Sequence, residues 1–414
     1  MSQWTPEWNL TINGGGSYTN LTLSNLTITS GRQDIYSQPY AGYCNVEILN
    51  LDLSPIEIDV NDQINIQVKD SSGTFVNLFG GYVTDIDVEV TQASSTAISE
   101  RIKVVALGAL SKLPKTLTEG VLSKDFDGDQ IYTILSEALF DTWNEVPAAE
   151  TWAGYDPTTT WANAENSGLG EIDRPGDYEL TARSSNTTDI YSLVSSLATS
   201  GLGYLFEDSQ GRIGYADSTH RSQYLTANGY VDLTGSHALA RGIRTSKRSG
   251  DVRNNVTITY KANAQESALD AASIAVYGQQ SYEITTSLEN GSDALDQAEF
   301  YLALRAFPEA QFKSITFPLA SPEIDDSDRD ALLEVFMGLP VNIIDLPLNI
   351  TNGQFQGFVE GWTFSAGYNS LYLTLTVSPT AYSLQSTRWN GVSAAETWNT
   401  LSPTLEWIDA TIVA

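Results

Sequence analysis

The chain has 414 residues, of which 17% are charged, and 51 Asp and Glu against 21 Lys and Arg give a formal net charge of −30. That length predicts two to four domains with buried cores. That charge argues against a protein that binds nucleic acid or an anionic membrane through a basic surface.

Residues 1–30 alternate in short bursts, Trp8-Asn9-Leu10-Thr11-Ile12 and then Leu21, Leu23, Leu26 and Ile28, around Gly14-Gly15-Gly16. They read as strands leading into a first small β-barrel, residues 1–113, with Pro114 at its exit. Residues 114–245 read as an α+β insertion. In it, Ile131, Ile134, Leu135, Ala138 and Leu139 have helical spacing over Gln130–Trp143, after the acidic turn Asp125 to Asp129. A second helix is expected from Asp189 to Ser200, capped by Thr187 or Thr188 and stopped by Gly201. The hairpin Gly203 to Glu207 and Arg212 to Ala216 follows.

Residues 246–384 are expected to form a second β-barrel, with Val256-Thr257-Ile258-Thr259-Tyr260 and Phe312 to Leu319 among its strands. Its connections carry two helices, Asp293–Phe307 capped by Ser292 and Asp325–Phe336 capped by Ser327 with Gly338 as terminator. Residues 385–414 are a tail. Arg241 to Arg253 form a basic patch against the general acidity, read as a solvated or interfacial loop or, more sharply, as a contact to an acidic neighbour.

The two barrels are read as copies of one unit. Phe79, Gly81, Tyr82 and Val83 fall on Phe355, Gly357, Phe358 and Val359. Val105 falls on Val377 if the first copy has four extra residues in its polar loop around Thr91 to Ser99. A second repeat is cleaner: residues 143–164 and 389–410 align without a gap and share twelve identities. Trp143, Trp152 and Trp161 match Trp389, Trp398 and Trp407. Each set reads as a clasp on its own domain or as an arm docking on a neighbouring subunit.

Chemistry-bearing motifs are few. Neither His220 nor His237 has metal-ligand spacing to another His or to Cys44. Cys44 is the single cysteine and cannot form an intrachain disulfide. Asp125-x-Asp127-Gly-Asp129 begins like a calcium loop, but its Gly falls two positions early and Ser136 stands where the bidentate Glu belongs. It reads as a turn and cap, and Asp325, Asp326, Asp328 and Asp330 as an acidic helix start. No catalytic, cofactor-binding or metal residue is assigned and no cofactor is expected. The start of the chain lacks the basic and apolar regions of a secretory signal, and no apolar run is long enough for a membrane span.

Several segments together resemble the baseplate hub or tail-tip proteins of tailed bacteriophages, the minor tail proteins similar to the base of type VI secretion spikes. They are Ile28-Thr29-Ser30-Gly31-Arg32-Gln33-Asp34-Ile35, Gln38-Pro39-Tyr40-Ala41-Gly42, residues 79–85, residues 203–212, the unit from Gly338 to Leu384 and the Trp-rich tail. The resemblance implies a mainly β chain with two related small tail-tube-like β-barrels and an inserted α+β domain. It implies a non-enzymatic homotrimer whose six barrels form a ring at the distal end of the tail in the virion. Its partners would be the tail tube or a distal tail protein, the tape-measure protein and tip or fibre proteins, with DNA passing through without specific binding. The rival readings are a polysaccharide-degrading tail enzyme using paired carboxylates and a carbohydrate-binding β module using the Trp repeats.

Overall fold

Alternation decides which side chains enter the core. In Gln63–Lys69 the odd positions are polar, and Ile64, Ile66 and Val68 all lie on one buried face. The computed structural model describes residues 4–12, 17–19, 22–51, 54–93, 98–142, 169–239, 243–308, 311–349 and 353–380. The protein is mainly β, built on one large, mostly antiparallel sheet of thirteen strands.

Numbered along the chain, the strands of that sheet are β1 (Trp8–Ile12), β2 (Ser17–Thr19), β3 (Thr22–Gly31), β4 (Tyr43–Asn50), β5 (Gln63–Lys69), β6 (Phe75–Ala93) and β7 (Ile98–Leu107). After a long excursion come β8 (Val231–Thr234), β9 (Arg244–Ser246), β10 (Gln311–Pro318), β11 (Pro340–Ile344), β12 (Phe355–Gly367) and β13 (Ser370–Pro379). The first half runs β3-β4-β7-β6-β5-β1 and the second β9-β10-β13-β12-β11-β8. The halves join where β12 pairs with β3. No pairing among the described residues closes either half into a ring.

The two runs correspond strand for strand, and their registers agree. Ile64 faces Gly81 and Ile66 faces Phe79, as Val341 faces Gly357 and Ile343 faces Phe355. A one-residue bulge interrupts β6 between Val83 and Asp85, and another interrupts β12 between Val359 and Gly361. Val83 faces Ala106 and Val359 faces Val377, so the residue equivalent to Val377 is Ala106. The expected match of Val377 with Val105 is therefore one residue out, because likeness of side chain does not report register across a loop. The halves also differ: β1 is antiparallel to β5, whereas β8 is parallel to β11.

The rest of the chain packs beside this sheet around a second core. Its helices are α1 (Asp127–Thr142), α2 (Ile190–Ser200), α3 (His220–Asn228), α4 (Ala271–Tyr277), α5 (Gly291–Arg305) and α6 (Asp326–Leu333), of which α3 and α6 lie against the large sheet. Val256–Tyr260, expected among the strands of the second barrel, belongs elsewhere. It is the middle of a three-stranded sheet with 264–269 and 281–285. Alternation makes it a strand, and its buried Val256 and Ile258 face Ala294 and Ala298 of α5 in the second core.

Three helix starts also differ from expectation. Asp189 caps α2 by accepting from the Ser192 amide at 2.8 Å, while Thr188 pairs with Thr118 in a short ladder. Asp325, not Ser327, caps α6, accepting from Asp328 N at 2.8 Å. α5 starts after Asn290 rather than at Ser292, with no side-chain cap bond. In the first two, a carboxylate competes with a nearby hydroxyl and suits the helix dipole better. The Tyr204–Glu207 and Ile213–Ala216 hairpin forms as expected. The Trp repeats lie outside the described residues. No helix among the described residues is long and apolar enough to cross a membrane.

The burial pattern predicts unequal costs for similar truncations. Ile64→Ala, at a fully buried position, lowers the unfolding free energy by about 2–5 kcal/mol. Val88→Ala, on a strand surface 61% exposed, changes it by about 0.5 kcal/mol or less in the same denaturant titration.

Candidate functional site

The line along which β12 meets β3 brings together stretches far apart in sequence. Gly361 faces Gly31, Trp362 faces Ser30 and Phe364 faces Ile28. The first pair must both be glycine-sized. A Cβ on Gly31, whose φ is +83°, would come within 2.3 Å of the Glu360 carbonyl oxygen, and one on Gly361 within 2.5 Å of that of Arg32.

The bulge beside this pair leaves Glu360 without a partner in β13 and turns its side chain into the protein, where it is 1% exposed. Its carboxylate accepts from Arg32 Nε at 2.7 Å and from Arg221 Nη1 and Nη2 at 2.7 and 3.0 Å. Ser378 Oγ is a further donor, and Arg32 N donates to the Glu360 carbonyl at 2.8 Å. The Tyr204 ring lies under both guanidiniums, 4.4 Å from Arg221 and 5.1 Å from Arg32. Burial alone raises the Glu360 carboxyl, but Arg221 and Arg32 outweigh it and hold it down at about 2. Such a carboxylate stays charged near neutral pH and is neither a general acid nor a working base. Its chemistry is that of a clamp joining the end of β3 in the first half (Arg32), helix α3 (Arg221) and β12 of the second half.

The remaining motifs brace the same junction. Leu205 N donates to Gln38 Oε1 at 3.1 Å, Gln38 Nε2 to the Gly203 carbonyl at 3.0 Å, and Tyr191 Oη to that of Pro39 at 2.7 Å. Glu207, at the end of the hairpin strand, accepts from the amides of Gly42 at 2.7 Å and Leu110. Burial pushes its carboxyl up to about 7 against those amides.

The acidic clusters are engaged in structure. Asp127 is fully buried, accepts from the amides of Asp177 and Tyr178 at 2.9 Å each and from the Tyr215 hydroxyl, and is pushed by burial up to about 7. Asp129 instead pairs with Arg174 at 2.7 Å, so these aspartates do not converge as a calcium loop requires. His220 Nδ1 lies 2.6 Å from Asp173. His237, Asp325 and Asp328 bring ligand-type atoms within 4.8 Å of one another. There, however, Asp325 caps α6 and Asp328 holds His237 at 2.9 Å. Asp326 pairs with Arg329, and Asp330 accepts from Ser71 N at 3.0 Å. Cys44 is buried, which pushes its thiol far up. Arg244, Lys247 and Arg248 of the basic patch are exposed, and Arg241 lies outside the described residues.

Sequence alone does not bring Glu360, Arg32 and Arg221 together, although it carries one signal of the site. Glu360 interrupts the apolar run Phe358-Val359-Glu360-Gly361-Trp362, and a charge there calls for a partner.

No family model matches the sequence, and no curated protein matches it. Solved structures do. The chain is similar to the 43 kDa tail protein of prophage MuSo2 from Shewanella oneidensis, with a TM-score of 0.53 and 14% identity over 91% of this chain and 99% of that one. It is also similar to the tail protein from Neisseria meningitidis MC58, with a TM-score of 0.57 and 13% identity over 92% of this chain and 100% of that one. The chain therefore shares the fold of these tail proteins, the likeness implied by the resemblance in sequence.

Two consequences are measurable. Arg221→Ala leaves a buried carboxylate short of a partner and lowers the unfolding free energy by about 3–5 kcal/mol at pH 7. The pH dependence has two signs. Glu360, lowered from an ordinary 4.5, contributes stability above that value that is lost as pH falls toward 2. Glu207 and Asp127, raised to about 7, bind protons more tightly folded than unfolded, and that contribution is lost as pH rises through 7. Denaturant titrations are expected to give higher stability at pH 5 than at pH 8, and the reverse order contradicts these assignments.

Proposed function

We propose that the chain is a structural component of a phage tail, a hub that adapts the end of the tail tube and bears tip or fibre proteins. Three chains would form a closed ring, each contributing two copies of one small β unit, so that a threefold assembly presents six similar lobes to a sixfold tube. The observation that carries this reading is the strand-for-strand agreement of the two halves, including the matched bulges at Thr84 and Glu360. The likeness in fold to two tail proteins supports the setting.

The net charge of −30 supports a lumen for DNA. A channel through which a polyanion slides must not hold it, and carboxylates repel phosphate. The mechanism is mechanical. A rigid adaptor, its two units and α+β part locked by the buried carboxylate, transmits position from tube to tip and lets the genome pass. The tape-measure protein and a tube or distal tail protein are the expected partners above it, and the distal tail of the virion its place.

Native mass spectrometry and negative-stain imaging of the full chain, alone and with a tube protein, test the proposal. Three chains in an annulus with six similar lobes around a central pore are expected. A particle without a pore, or a stable assembly of another order, contradicts it.

A further inference from the structure

The contact between β12 and β3 has a counterpart that is left open. Residues 361–366 of β12 are covered by residues 26–31 of β3. In the first half their places are held by residues 85–90 of β6. Asp85 faces Val105 as Gly361 faces Thr376, and Ile86 faces Val104 as Trp362 faces Leu375. β5 accompanies β6 only as far as Tyr82, with Val83 still bonded to Asn61 and Asp62. Beyond that, among the described residues, no strand lies along the outer side of residues 85–90. Burial records the difference: Phe364 and Ala366 are 1% and 4% exposed, whereas their equivalents Val88 and Val90 are 61% and 56% exposed. An alternating, β-branched edge with unpaired backbone groups is a template for one more strand.

The strand that would fill it is also identified by the repeat. β3 flanks β4 in the first half, and β9 flanks β10 in the second, at the free end of the large sheet. Phe312 faces Val377 as Cys44 faces Ala106. Thr245 faces Phe312 and Arg244 faces Ser314, so Thr245 and Arg244 stand where Ile28 and Thr27 stand in β3. β9 and the residues after it carry the exposed Arg244, Lys247 and Arg248, while the open edge of β6 carries Asp85, Asp87 and Glu89.

We infer that β9 of one chain adds, antiparallel, to residues 85–90 of β6 in a second copy of the chain, repeating between chains the contact that β3 makes with β12 within one. Carrying over the internal register sets Glu89 opposite Arg244 and Asp85 opposite Arg248 on one face of the joint. Val88 then meets Thr245 and Val90 meets Ile243 on the other face. This register, set by the repeat alone, places acid against base at both positions. Each chain offers one such edge and one such strand, on different halves. The contact is therefore heterologous and generates a ring where the rotation closes. That the ring has three chains rests on the proposed trimer; the pairing itself rests on the repeat.

The test uses the full chain carrying Val88→Cys and Thr245→Cys, with each single variant as control, under mild oxidation; the native Cys44 is buried. The expected result is an intermolecular disulfide in the double variant alone. Glu89→Arg is expected to weaken self-association about tenfold or more, and Arg244→Glu added to it to restore association. A trimer with no such cross-link, unmoved by Glu89→Arg, overturns the pairing and leaves the trimer standing. Cross-linked dimers or open chains without a trimer uphold the pairing and overturn the proposed ring. A monomer with no cross-link overturns both.

Discussion

The fold depends on one buried charge. A carboxylate that is 1% exposed is tolerated only when its charge and its hydrogen-bonding capacity are met. For Glu360 that is done by guanidiniums supplied 328 and 139 residues away in sequence. Neither arginine can shift without leaving the carboxylate exposed to its own burial cost. The ion pair is therefore less a source of net stability than a specification of arrangement: the first half, helix α3 and the second half fit together in one way. The bulge in β12 makes this possible by turning a residue of a central strand inward, and Gly31 with Gly361 lets the two backbones approach.

The same bulge occurs in β6, where Thr84 takes the place of Glu360 and donates to the Val105 carbonyl at 3.2 Å. A single backbone device thus serves two ends. In the second half it anchors the joint between the units. In the first it stands at the root of an open ribbon whose outer side awaits a strand. The units differ in the residues that follow each bulge, as their surroundings do: Gly361-Trp362-Thr363-Phe364 lie under β3, whereas Asp85, Asp87 and Val88 are exposed and only Ile86 packs on the core.

Much of this architecture is legible from alternation alone. Ile64, Ile66 and Val68, or Leu371, Leu373 and Leu375, declare strands with one buried face, and Phe79-x-Gly-Tyr-Val against Phe355-x-Gly-Phe-Val declares the repeat. What periodicity cannot supply is partnership. Val256–Tyr260 reads as a strand, but nothing in its pattern says that it pairs with 264–269 and 281–285 instead of entering the large sheet. The match of Val105 to Val377 fails by one residue because register past the polar loop is set by backbone pairing, which identical side chains do not report. Helix starts are ambiguous in sequence where Asp189 stands beside Thr188 and Asp325 two residues before Ser327. The site was half visible: Gly31-Arg32 and Glu360-Gly361 lie in stretches that stand out in the sequence, but that they meet is a fact of the fold.

The buried carboxylate holds the two halves and helix α3 as one body. Amide hydrogen exchange, wild type against Glu360→Gln, tests it most directly. Amides of β3 and β12 along their joint and those of α3 are expected to be as protected in the wild type as those of β5, and in the variant both sets are expected to lose protection together by about a hundredfold or more. Unchanged protection at the joint, or loss there with α3 unaffected, would contradict it.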